Sequence, residues 1–283
     1  MDITLKEIAV AYTDESAVPP ALLRVTYTFR KGVWYSVIGK AGAGKSTLLQ
    51  LLAGLLKMNE GDMVIGQAHL HKGTKEKAWR KAFRSSGYVL QFAEKQFFEE
   101  TVEKEMMYGL LNQGVSLNDA QTEVQNVAQA LGIQEQMLRR SPFTLSGGEQ
   151  RKVAIASILV MQPTILLLDE PTAGLDPLAS RHVMDVLKKY HQETQCTVVH
   201  VSHEIEEVYH TADIVLQLEQ GTIVNSGDPG TILLEQTYTA PPVPLKLAQD
   251  IEALTSQPIR QPTKHVTAQD LFEALYQVYG SCR

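Results

Sequence analysis

The chain has 283 residues, with 26 Lys and Arg against 32 Asp and Glu, a formal net charge of −6 and 44% hydrophobic residues. That length fits one domain of ordinary size plus an appendage, and that hydrophobic content excludes a disordered chain. The acidic balance disfavours a protein that wraps duplex DNA, because phosphate binding needs surplus cation. The longest run without Asp, Glu, Lys or Arg, residues 153–168, falls short of the ~20 residues of a membrane-spanning helix, and Gln162-Pro163 interrupts it. The N-terminus, MDITLKEIAV, lacks the basic-then-apolar pattern of a signal peptide. Cys196 and Cys282 form no CxxC pair, which fits a reducing cytosol and argues against a cysteine metal site.

In chain order, Trp34–Ile38 reads as a strand. Gly39-Lys40-Ala41-Gly42-Ala43-Gly44-Lys45-Ser46 follows it and fits GxxxxGK[ST]. Residues 46–56, apolar nearly all round, read as a buried helix. A strand, this loop and a helix together make a phosphate cradle. Glycines let the backbone approach closely, and successive N–H groups point at phosphate oxygens. The helix N-terminus adds partial positive charge. In this motif Lys45 neutralises the β and γ phosphates and the Ser46 hydroxyl ligates Mg²⁺, with the loop continuing through Thr47.

Further on, Ser146-x-x-Glu149 has capping-box spacing before a helix expected over 150–161. Gly147 and Gly148 leave that helix end open to an anion. Residues 165–168 are a continuous apolar run, as in a parallel sheet covered on both faces. Asp169 and Glu170 end that run, where parallel sheets bind ligands. Asp169 suits Mg²⁺ and Glu170 can polarise an attacking water. Residues 197–201 read as another strand, and residues 214–218 and 222–224 as a late antiparallel hairpin around Gly221. Strands alternating with helices indicate an α/β domain.

Pro241, Pro242, Pro244, Pro258 and Pro262 cluster after this point, and a boundary is expected near Leu234. Residues 245–254 and 267–279 have helical spacing, and the second segment opens with Thr267-x-x-Asp270. Its apolar stripe of Leu271, Phe272, Leu275, Tyr276, Val278 and Tyr279 can dock on its own domain or on a second copy.

A chain with one phosphate loop has no need of a second phosphate-binding helix end for the same nucleotide. Leu145-Ser146-Gly147-Gly148-Glu149-Gln150 resembles the signature of ATP-binding cassette (ABC) ATPases, and the resemblance covers about residues 1–230. It implies a P-loop NTPase fold with a parallel-sheet core, an antiparallel β subdomain and an α-helical signature subdomain over about 92–160. The cassette would span 1–234, with a helical extension over 235–283 that supports dimerisation. The resemblance further implies that Ser146, Gly147, Gly148 and Glu149 close over the ATP of a facing subunit. Gln91 matches the glutamine that reaches Mg²⁺, Asp176 the inter-subunit loop, His203 the switch histidine at the γ-phosphate, and Tyr12 the ring that stacks on adenine. Substrate and cofactor are then ATP and Mg²⁺, the latter held by Ser46, Gln91 and Asp169.

A finer resemblance runs from Gln91 to Gly109, QFAEKQFFEETVEKEMMYG, which is similar to the ATPase subunits of energy-coupling factor (ECF) vitamin and metal transporters. Ala93 stands where that group commonly has proline. The resemblance implies a second ATPase subunit, identical or paralogous, a membrane coupling subunit, a substrate-binding membrane subunit and a place on the cytoplasmic face of the membrane, with no nucleic acid. Physically, Phe97 and Phe98 can line a groove rimmed by Glu94, Glu99 and Glu100, fit for an arginine-bearing amphipathic helix. The rival readings are a conventional ABC importer subunit, a soluble ABC ATPase acting on DNA or ribosomes, and a small-molecule kinase. No long coiled-coil insertion separates Ser46 from Leu145, and a kinase leaves residues 145–150 unexplained.

Overall fold

The computed structural model describes residues 1–12, 19–92, 96–235, 242–255 and 270. A four-stranded antiparallel sheet has the order β2-β1-β4-β5, built from β1 (Ile3–Val10), β2 (Leu22–Phe29), β4 (Glu60–Ile65) and β5 (Ala68–His71). A six-stranded sheet has the order β10-β9-β3-β8-β7-β6. Its strands are β3 (Trp34–Ile38), β6 (Ser86–Val89), β7 (Ile165–Asp169), β8 (Thr197–Val201), β9 (Ile214–Glu219) and β10 (Thr222–Gly227). The pairs β9–β3, β3–β8, β8–β7 and β7–β6 are parallel, and β10 closes the edge as an antiparallel hairpin with β9.

The central strands are apolar throughout because both faces are covered. Ile165 and Leu167 pack on one side with Leu48, Leu52 and the antiparallel sheet. Leu166 and Leu168 pack on the other with Val153, Ile155 and Leu187. On the first side lie α1 (Lys45–Leu52) and, through Trp79, α2 (Glu76–Ala82). On the second lie α7 (Pro177–Thr194) and a helical layer of α3 (Val102–Asn112), α4 (Leu117–Ala130), α5 (Glu135–Leu138) and α6 (Gly147–Leu159).

Two helices depart from the sequence reading at their ends. α1 stops at Leu52 instead of running to residue 56. Gly54 turns with φ +75°, and a Cβ there would lie 2.4 Å from the Phe83 ring. Leu55 is left exposed. α6 starts at Gly147 and ends at Leu159, so the signature glycines form its first turn rather than a preceding loop. Ser146 is the reason: its hydroxyl accepts from the Glu149 N–H, and the Glu149 carboxylate accepts from the Ser146 N–H at 2.8 Å.

The late hairpin forms as read. α8 (Ile205–Thr211) lies between β8 and β9, and α9 (Pro229–Glu235) and α10 (Val243–Thr255) follow β10. α10 corresponds to the helical segment read at 245–254, and Leu245 and Ala248 join the core. The segment read at 267–279 lies outside the described residues, Asp270 excepted. Among the described residues no helix is long and apolar enough to cross a membrane.

Candidate functional site

Four neighbouring parallel strands deliver the site, each from its C-terminal end, where sheets of this kind bind ligands. β3 leads into residues 39–47, β6 into Gln91, β7 ends on Asp169 and β8 leads to His203. The loop after β3 needs its glycines. Gly39 has φ +151°, and a Cβ there would lie 2.2 Å from the Leu218 carbonyl oxygen. Gly44, at φ 100°, is the N-cap of α1 and gives it no side-chain cap. The first turn of α1 therefore keeps its N–H groups open, as an anion site requires. Lys45 Nζ folds back over the loop, donating to the Gly39 carbonyl at 2.7 Å and the Lys40 carbonyl at 3.0 Å. Burial lowers the Lys45 pKa, and the charges of Glu170 and Asp169 oppose that shift.

Asp169 is buried and accepts a hydrogen bond from the Tyr88 hydroxyl at 3.2 Å, with the Ser46 hydroxyl near enough to influence its protonation. Desolvation raises its pKa, with the Glu170 charge adding to the shift and the two hydroxyls opposing it. Glu170 takes the left-handed conformation at φ 49°. Its N–H donates to the Val201 carbonyl at 2.9 Å, and its own carbonyl accepts from Arg151 at 2.9 Å. Such a backbone costs on the order of 1 kcal/mol or more and persists where its surroundings hold it. The carboxylate is held at both oxygens: Gln91 Nε2 donates to Oε2 at 2.9 Å and His203 Nε2 lies 2.8 Å from Oε1.

Tyr12 sits at the end of the phosphate loop. Its hydroxyl lies 3.0 Å from Thr47 Oγ1 and donates to Gln50 Oε1 at 3.3 Å, and the residue as a whole is 63% exposed. The structure thus brings Tyr12, residues 39–47, Gln91, Asp169, Glu170 and His203 into one region. The signature residues stand apart from it on the first turn of α6, with Ser146 and Gly147 exposed and a Cβ on Gly148 3.3 Å from Leu175. Asp176 caps α7, accepting from the N–H groups of Leu178 at 3.0 Å and Ala179 at 2.9 Å.

Residues 22–173 match the family described as ABC transporter. The chain is 41% identical over 233 residues to the energy-coupling factor transporter ATP-binding protein EcfA2 of Listeria welshimeri, covering 82% of this chain and 81% of that protein. The chain belongs to the ABC transporter ATPases. Within them it falls with the energy-coupling factor ATP-binding subunits, and it is an ATP hydrolase coupled to transport. Two solved structures share the fold at a TM-score of 0.74. One is cbiO1 from Clostridium perfringens, described as part of the ABC transporter complex cbiONQ, at 27% identity over 89% of this chain and 94% of that one. The other is the dimeric ATP-binding cassette MJ0796 bound to ADP and Pi, at 26% identity over 80% of this chain and 98% of that one.

This ABC ATPase holds its site with residues that sequence reasoning missed. Arg151, buried on α6, donates to the carbonyls of Leu90 at 3.0 Å and Glu170 at 2.9 Å, so one guanidinium fixes the backbone before Gln91 and at Glu170. The Glu207 carboxylate accepts from Ser202 at 3.1 Å and is influenced by the Thr172 hydroxyl, which sets it between the loops that follow β8 and β7. Desolvation raises its pKa while those hydroxyls oppose the shift. Little marked Arg151 in the sequence, since Glu149, Gln150 and Lys152 make the first half of α6 polar around it. A cleft of about 920 Å³ opens beside Glu170 and His203, between α7 and α8.

The groove read around Phe97 and Phe98 needs correction. Phe97 is buried in the core, and only Phe98 is presented, packed edge-on against Tyr108 with ring centroids 4.6 Å apart. Successive residues there point opposite ways, because Glu105 accepts from the N–H groups of Phe98 at 3.1 Å and Glu99 at 2.9 Å and pins the turn before α3. Glu100 is exposed and pairs with Lys104 at 2.7 Å. Glu94 lies outside the described residues.

Proposed function

We propose that this chain works as one half of a head-to-tail ATPase pair on the cytoplasmic face of the cell membrane, powering uptake of a vitamin or a transition-metal ion through membrane partners. The observation that carries the reading is the double hold on Glu170 by Gln91 and His203, beside a phosphate loop with an open helix end. The names of the relatives support the energy-coupling factor type, and the cbiONQ complex of the structural neighbour supports membrane partners. The second subunit is identical or paralogous. A coupling membrane subunit would meet the face carrying Phe98, Glu99 and Glu100, and a separate membrane subunit would bind the transported substrate.

In the mechanism, Tyr12 stacks on adenine, a role its exposure permits. Residues 39–47 bind the phosphates through backbone N–H groups, and Lys45 exchanges two carbonyl partners for phosphate oxygens. Ser46, Gln91 and Asp169 fit Mg²⁺, since a hydroxyl, an amide oxygen and a buried carboxylate are hard donors beside the phosphate loop. When bound, the ion neutralises charge on the β and γ phosphates. Glu170 orients the attacking water or takes its proton, and His203 holds the geometry between that water and the γ-phosphate. Positioning and charge stabilisation supply most of the rate, because phosphoryl transfer leaves little covalent work to the protein.

The signature completes the facing subunit's site. The exposed first turn of α6, capped by Ser146 and open at Gly147, is suited to a phosphate arriving from outside. ATP then favours the closed pair to the extent that it binds that state better, about tenfold for each 1.4 kcal/mol. Hydrolysis removes the γ-phosphate link and releases the pair.

The test is purification of the tagged chain from membranes, with identification of what accompanies it. One coupling protein with a small substrate-binding membrane protein supports the reading. Recovery of the chain with nucleic acid or ribosomes alone overturns it.

A further inference from the structure

Tyr88 has no place in the mechanism so far, yet it touches the acid at its centre. The register of β6 on β7 pairs Tyr88 with Leu167. Side chains alternate along a strand, so Tyr88 shares the sheet face of Leu167 and Asp169. That is the face covered by α1, and the Tyr88 ring packs into its core. Its hydroxyl reaches beyond the apolar layer and donates to Asp169 Oδ2 at 3.2 Å. The Ser46 hydroxyl, on the first turn of α1, is near enough to the same carboxylate to favour its charged form. Gln91, on the same chain segment, donates to Glu170 at 2.9 Å. Residues 88–91 thus supply one donor to each of two adjacent acids.

We propose that Tyr88 is a positioning residue for the cation–nucleotide complex: its hydroxyl fixes the rotation of the Asp169 carboxylate beside Ser46. The inference rests on the reading of Asp169 as a Mg²⁺ ligand. A carboxylate held by a hydroxyl donor has less freedom to turn, so its remaining lone pairs are already aimed when the cation arrives. A hydrogen bond to a charged acceptor is among the stronger ones. Loss of the hydroxyl alone leaves the ring and its packing in place. It therefore weakens the gain in nucleotide affinity that Mg²⁺ brings, and leaves metal-free nucleotide binding untouched.

The experiment measures affinity for a fluorescent ATP analogue, with Mg²⁺ and with EDTA, for the wild type, Tyr88→Phe and Asp169→Asn. The readout is the ratio of the two affinities. The expected result for Tyr88→Phe is a ratio lowered about threefold to tenfold, with the EDTA affinity and the melting temperature close to wild type. Asp169→Asn lowers the ratio further. If Asp169→Asn lowers the ratio and Tyr88→Phe leaves it within twofold, the role of Tyr88 is refuted while that of Asp169 stands. Equal weakening with and without Mg²⁺ also refutes it, by showing a packing effect. If Asp169→Asn leaves the ratio unchanged, the reading of Asp169 fails and takes that of Tyr88 with it.

Discussion

Glu170 Oε1 lies 2.8 Å from His203 Nε2, although the two residues leave the ends of different strands. β7 and β8 are adjacent and in register, with Asp169 opposite Val201, which sets the turns after them side by side. The Glu170 N–H bond to the Val201 carbonyl closes the gap. The second carboxylate oxygen accepts from Gln91, so the Glu170 carboxylate is held at both oxygens.

Glu170→Gln keeps the size of the side chain and loses the base. Turnover of ATP should fall about 100-fold to 10,000-fold, the usual contribution of a positioned general base, with ATP affinity within about threefold of wild type. Single-turnover hydrolysis with labelled ATP measures the first, and equilibrium binding the second. Near-normal turnover would remove Glu170 from the role.

Gly39 and Gly42 separate clash from strain. A Cβ on Gly39 meets the Leu218 carbonyl oxygen at 2.2 Å, whereas one on Gly42 meets nothing within 4 Å. Gly42→Ala therefore carries only the left-handed backbone cost at φ 77°, about 1 kcal/mol. Gly39→Ala must displace backbone and should cost more than about 2 kcal/mol. Urea unfolding of the two variants should rank them in that order.

His200 makes stability depend on pH. It is fully buried on β8, and desolvation lowers its pKa to about 3 from the ordinary 6.5. Unfolding at a pH between these values lets the imidazole take up a proton that the folded state excludes. Its contribution is full above pH 6.5 and is lost as pH falls toward 3, at up to about 1.4 kcal/mol per pH unit. His200→Leu should flatten that part of a denaturation-versus-pH profile. An unchanged slope in the variant would show that other groups set it.

The face carrying Phe98, Glu99 and Glu100 is where the proposed membrane partner would dock. Glu99 and Glu100 can be reversed without breaking the turn, since Glu105 holds the backbone there. Glu99→Lys with Glu100→Lys should weaken co-purification with the membrane subunit at least about tenfold, as expected for opposed charges at an interface. ATP binding and melting temperature should stay near wild type. Full assembly by this variant would place the docking face elsewhere.

The phosphate loop was legible in the sequence because its chemistry is local. Spacing alone fixes which glycines turn the chain and where Lys45 stands. Asp169 and Glu170 were legible because two acids that end a buried apolar strand stand at the ligand-binding edge of a parallel sheet. Gln91 and His203 could be assigned only through the order of family motifs. Their meeting at Glu170 depends on strand order, and Gln91 reaches it across 79 residues of chain. Tyr88, Arg151 and Glu207 escaped for the same reason: each acts through a partner on another element. The extents of α1 and α6 escaped because a blocked glycine and a reciprocal cap outweighed the run of apolar residues. Phe97 escaped because a pair of aromatics says nothing about which one turns inward.

The central claim is that the signature of one subunit completes the ATP site of another. Light scattering on a sizing column measures it most directly, with Glu170→Gln and Glu170→Gln/Ser146→Arg, each alone and mixed with any paralogous cassette recovered by the membrane purification. With ATP, Glu170→Gln should shift from the mass of one subunit to that of two, and should return on removal of nucleotide. Adding Ser146→Arg puts a long cation on the first turn of α6 and should abolish the shift while ATP still binds. A shift that survives Ser146→Arg, or no shift with Glu170→Gln in either mixture, would contradict the account.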